Sequence, residues 1–102
     1  MAKEIEYRRL LTPEDEVRIR FVKNRGRILK FVVQYYTKIK KHWLTVMRID
    51  NCHGYPHKHI YHLHKKEFML VLPKDNNIAF TEAQNFIKNN FKKIKENFLF
   101  SQ

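Results

Sequence analysis

From Val17 to His64 this chain alternates apolar and polar residues, and short polar stretches interrupt the alternation. Period two puts successive side chains on opposite faces of a strand, so most of the chain is committed to a sheet. Val17, Ile19 and Phe21 alternate with Arg18 and Arg20, a half-buried strand. Asn24-Arg25-Gly26 follows as a hairpin turn, with Gly26 free to take a positive φ. Arg27 to Ile39 is rich in Val, Ile, Phe and Tyr, all good strand formers. Leu29, Phe31, Val33 and Tyr35 share one of its faces and Ile28, Val32 and Tyr36 the other, as in a central strand. Lys38 to His42 makes the next turn, Trp43 to Asp50 a third strand, Asn51 to Pro56 a polar loop and His57 to His64 a fourth strand. Lys65 and Lys66 break the pattern, and Phe68 to Leu72 forms a short fifth strand before the Asp75-Asn76-Asn77 turn.

The period then changes. Ala83, Phe86, Ile87, Phe91, Ile94 and Phe98 recur at spacings of three and four, the stripe of an amphipathic helix. Thr81, with Gln84 three residues on, has the form of its capping box. Residues 1–15 are polar, and Thr12-Pro13-Glu14-Asp15 resembles a helix start that runs for one turn at most. The expected fold is α+β: an antiparallel meander sheet of four to five strands packed by one C-terminal helix. It forms a single domain over 1–102, with a polar arm at 1–15, the sheet at 16–72 and the helix at 80–99. Long edge strands make a homodimer a candidate assembly.

Lysine and arginine number 21 against 10 acids, a net charge of +11, which favours polyanions and nucleic acid first among them. Arg18, Arg20, Lys58, Tyr61, Lys65 and Lys66 are the candidate nucleic-acid contacts. Cys52 is the single cysteine, so no internal disulfide forms, which suits the reducing cytoplasm. The N-terminus lacks an apolar leader core, and no run reaches the ~18 apolar residues of a membrane span. Neither a signal peptide nor a membrane partner is expected.

Five of the six histidines lie between positions 53 and 64. On a strand, His57, His59 and Tyr61 point one way and Lys58, Ile60, His62 and His64 the other. An antiparallel register across the loop sets Asp50 opposite His57 and Arg48 opposite His59, and opposed residues share a face. Arg48, Asp50, His57 and His59 then form one polar patch, with His53 reaching in from the loop, while Met47, Ile49 and Ile60 turn to the helix.

Such a patch allows two chemistries. Without metal, His57 or His59 takes the proton of a ribose 2′-hydroxyl, a second histidine protonates the leaving oxygen, Arg48 stabilises the phosphorane and Asp50 orients a ring. Alternatively His53, His57, His59 and Asp50 bind a divalent metal with a position open for water. Histidines without a shared task are the plain alternative. A non-catalytic module is another, with Tyr35, Tyr36, Trp43 and Tyr61 stacking bases on an open sheet face.

The run Phe31-Val32-Val33-Gln34-Tyr35, then Trp43, then Met47-Arg48-Ile49-Asp50-Asn51-Cys52-His53-Gly54-Tyr55-Pro56-His57-Lys58-His59 resembles a group of small prokaryotic proteins. These carry an Arg-aromatic-Asp-x-x-His-Gly-x-x-His core and are similar to TumE-like toxins of toxin–antitoxin pairs. The similarity covers roughly residues 17–64. It departs at Ile49, where an aromatic is commoner, and at His62 and His64, which are extra. The resemblance implies a meander sheet with its site at Arg48, Asp50, His53 and His57, His59 beside them, and a cognate antitoxin as partner. Joined to the charge and the histidine density, it sets the functional expectation: a small basic toxin-like protein acting on RNA, a ribonuclease held in check by its antitoxin.

Overall fold

Six strands pair in chain order as one antiparallel sheet: β1 (Lys3–Thr12), β2 (Asp15–Asn24), β3 (Arg27–Ile39), β4 (His42–Asp50), β5 (His57–His62) and β6 (Lys65–Val71). One helix, α1 (Asn76–Phe100), packs on a single face of it, so the fold is α+β. The structure, a computed structural model, describes residues 2–52, 54–62, 65–72 and 75–100, with the backbone alone for 62 and 65–69.

The strand count exceeds the expected four to five because residues 3–12 form β1 rather than a polar arm. An edge strand is held by backbone pairing and needs no apolar alternation. Seven of the ten β1 residues are exposed, which is why the segment carries no amphipathic signal. Its pairing with β2 is continuous from Lys3 opposite Lys23 to Leu10 opposite Glu16. Thr12 to Asp15 is the connecting turn and not a helix start: the Thr12 hydroxyl donates to Asp15 Oδ2 at 2.6 Å and accepts the Glu14 N–H at 3.1 Å. Lys65 and Lys66, expected to interrupt the sheet, lie in β6.

Two hairpins turn on two residues with positive φ. Arg25 (51°) and Gly26 (76°) join β2 to β3, and Lys40 (49°) and Lys41 (70°) join β3 to β4. Two consecutive positive φ angles give the turn whose twist matches the flanking strands.

The helix starts earlier than expected. Asp75, not Thr81, caps it, and its Oδ1 accepts the Ile78 N–H at 2.9 Å. Asn77 then ties the first turn to the β2–β3 hairpin, accepting the Ile28 N–H at 2.8 Å and donating to the Gly26 carbonyl at 3.1 Å. Ala83, Ile87 and Phe98 are buried against the sheet, Phe91 and Ile94 partly so, while Phe86 lies at the margin under Lys58. Ile87 is completely enclosed, and truncating such a side chain to alanine costs about 2–5 kcal/mol.

Val17, Ile19, Phe31, Val33, Tyr35, Met47 and Ile49 face the helix. A register shift at Val22/Lys23 breaks the alternation at the start of β3, so Ile28 is buried and Leu29 exposed, the reverse of the expected assignment. The opposite face carries Arg18, Arg20, Gln34, Tyr36, Arg48 and Asp50 at matched register positions.

Candidate functional site

Asp50 pairs with His57 and Arg48 with His59, the register expected from the alternation. Met47 opposite Ile60 and Ile49 opposite Lys58 turn to the helix side. Asp50, His57 and His59 therefore converge on the open face, and one ligand atom from each lies within 4.8 Å of the others.

Asp50 is the hub and is 1 % exposed. Its Oδ2 accepts from Arg48 Nε at 2.7 Å and lies 3.5 Å from His59 Nε2. Its Oδ1 accepts the Cys52 N–H at 2.9 Å and lies 3.3 Å from His57 Nε2. The Cys52 contact is an Asx turn, in which a side chain at the end of a strand bonds the backbone two residues on. Burial pushes the Asp50 carboxyl up, but the Cys52 N–H and the Arg48 guanidinium outweigh it and hold the group below its usual range. For Arg48, partial burial opposes the charge, and the neighbouring Asp50 more than compensates and raises its pKa.

His57 is fully enclosed. Its Nδ1 lies 3.0 Å from the Tyr55 carbonyl oxygen. A carbonyl only accepts, so Nδ1 donates there, and Nε2 is the nitrogen that faces Asp50. The rings of His57 and His59 meet edge to face at 4.7 Å, and His59 stacks on Tyr61 with centroids 6.4 Å apart. The loop between β4 and β5 supplies this group with the Cys52 N–H and the Tyr55 carbonyl. Asn51 anchors it by accepting the Phe31 N–H and donating to the Leu29 carbonyl, both at 3.0 Å, and the Gly54 N–H donates to the Asn51 carbonyl at 3.0 Å. Gly54 has φ +90°, a conformation that favours glycine.

The structure thus brings together Arg48, Asp50, His57, His59 and Tyr61. His53 and His64 lie outside the described residues. Lys58, expected as a nucleic-acid contact, lies on the helix face as the alternation placed it, over the Phe86 ring at 4.1 Å. Lys65 and Lys66 are placed by backbone in β6. Arg18 and Arg20 are exposed on the same face as Asp50, two strands away. Tyr35, expected as a stacking surface, is fully buried and donates to Asp15 Oδ1 at 2.7 Å. Two contributors went unforeseen, the Tyr55 carbonyl and the Cys52 N–H. Both are backbone groups, and of the two the Asp50-Asn51-Cys52 turn alone had a sequence signature.

Two imidazoles and a carboxylate make a hard-to-borderline donor set suited to a divalent transition metal. The bond from His57 Nδ1 to a backbone carbonyl is the outer contact that usually orients a metal-binding histidine. Asp50, His57 and His59 could hold such an ion.

A family model described as a domain of unknown function, DUF7718, matches residues 1–102. The chain belongs to this family. No curated protein and no solved structure matches it. In this DUF7718 member the Asp50 group is accordingly defined by its own geometry.

Proposed function

We propose that the protein binds a divalent transition metal, zinc first, through Asp50, His57 and His59, and uses it to hydrolyse phosphodiester bonds in RNA. The observation that carries this reading is the convergence of the three ligand atoms within 4.8 Å, with His57 Nδ1 held 3.0 Å from the Tyr55 carbonyl oxygen. Asp50, His57 and His59 would hold the ion, which would supply a water activated near neutral pH. Hydrolysis would join the water oxygen to phosphorus as the bond to the leaving oxygen breaks, with a proton from solvent passing to that oxygen.

Arg48 and His59 are the members with solvent access, with side chains 35 % and 16 % exposed, so substrate reaches the group from their side. Arg48 can meet the charge that develops on the phosphoryl oxygens. Its positive charge also opposes a dication, so affinity falls below that of a site without the guanidinium. The metal-free route fits this arrangement less well, because a fully enclosed His57 cannot reach a ribose hydroxyl. The net charge of +11 supports RNA as the substrate, and the likeness to TumE-like toxins supports a role as a toxin that a cognate antitoxin neutralises.

The test is zinc titration by calorimetry on untagged protein, together with RNA cleavage before and after EDTA. Stoichiometric binding that vanishes in His59→Ala, with cleavage lost to EDTA and restored by zinc, is expected. Absence of zinc binding, or cleavage indifferent to EDTA, overturns the proposal.

A further inference from the structure

We infer that single-stranded RNA crosses the open face at right angles to the strands, along a row from Arg18 to His59, and seats one nucleotide in a cleft beside Cys52. This rests on the RNA part of the function proposed above. The strand pairings align Arg18 with Gln34, Gln34 with Arg48 and Arg48 with His59, one residue on each of β2 to β5. A neighbouring row runs Arg20, Val32, Asp50, His57. Adjacent strands are about 4.8 Å apart, so the first row sets a cation or amide at short, even steps leading to the Asp50 group.

The row also carries flat surfaces. The Arg18 guanidinium lies over the Tyr36 ring, 4.4 Å from its centroid, and His59 stacks on Tyr61. Stacked planes of this kind take unpaired bases of any sequence, and a duplex hides its bases from them. Glu16, which could repel phosphate from the row, is buried and occupied by Arg18 at 3.1 Å and Arg8 at 3.8 Å.

The cleft has a volume of about 340 Å³ and is lined in part by Arg20, Lys30, Val32 and Cys52, with Glu4 as its one acid. That volume suits a small ligand the size of a nucleoside. Two cations frame the cleft, and its Cys52 wall is continuous with the Asp50 group through the Cys52 N–H. A nucleotide there places the adjoining phosphate towards Arg48.

The experiment is fluorescence anisotropy of a labelled oligouridylate in EDTA, which removes the metal from the question. Wild-type protein is expected to bind with a steep salt dependence, and Arg20→Glu to weaken binding by about tenfold or more. Arg18→Lys, which keeps the charge but loses the plane, is expected to weaken it severalfold. Lys92→Glu/Lys93→Glu, on the exposed side of α1, should bind as wild type does. The inference is overturned if Arg20→Glu binds normally, if the helix variant loses as much, or if duplex RNA competes as well as the single strand. Zinc titration of Arg20→Glu keeps the two readings apart: normal zinc uptake with lost RNA binding leaves the metal centre standing.

Discussion

Two buried aspartates, Asp15 and Asp50, sit on opposite faces of the sheet and are held in opposite ways. Asp15 is under α1, where hydroxyls surround it: Thr12 at 2.6 Å, Tyr35 at 2.7 Å and Thr37 at 2.9 Å, with Lys95 Nζ at 3.7 Å. Asp50 is on the open face among an arginine, a backbone N–H and two imidazoles. Burial pushes the Asp15 carboxyl up, and its hydroxyl donors and Lys95 bring it below the usual value, as the N–H donors do for Asp50. Burial and the Asp15 charge push the Tyr35 phenol far above its usual value, so it stays a donor. Hydroxyls of this kind only donate to the carboxylate, whereas imidazoles can also ligate a metal. The same burial therefore makes a structural latch at one site and a candidate centre at the other.

The contrast breaks most sharply at Asp50→Asn. Zinc affinity and RNA cleavage should fall by more than ~100-fold, beyond the loss typical of an outer-shell partner, in a protein that circular dichroism shows folded. Intact cleavage would reduce Asp50 to a second latch. Asp15→Asn should do the reverse: about 2–3 kcal/mol less stability in urea unfolding, with unchanged cleavage. Its pH signature follows from the depressed pKa. Stability from Asp15 is present above the unfolded value near 4 and lost as pH falls through the folded one, so the variant's stability curve should be flatter below about pH 4. Asp50 contributes with the same sign, so some acid sensitivity should survive. Tyr35→Phe removes one donor of several and should cost about 1.5 kcal/mol by the same unfolding assay, with zinc binding unaltered. Cys52→Ser should matter least, within about 0.5 kcal/mol and without loss of cleavage, because the Cys52 N–H that holds Asp50 is retained and a serine hydroxyl can replace the thiol beside it. A large loss of cleavage there would give the thiol a role.

The β4–β5 register was legible in the sequence because Arg48, Asp50, His57 and His59 alternate with Met47, Ile49 and Ile60, and a slip of one residue would have turned charged groups into the core. The Phe and Ile stripe of α1 was legible for the same reason at the helical period. β1 was not, because its exposed residues leave no periodic contrast to read. The helix start was misplaced because Thr81 and Gln84 imitate a cap inside a helix that Asp75 begins. The enclosure of His57 was beyond the sequence, since a carbonyl at Tyr55 and a loop pinned by Asn51 produce it.

Each strand of the sheet pairs with its neighbour in the chain, and the residues of the candidate centre fall within the single hairpin from Arg48 to His59. Those residues come together by closing one short loop, whereas α1 reaches the strands it packs on across a longer stretch of chain. The candidate centre is thus the local part of the fold, and the core under α1 is the long-range part.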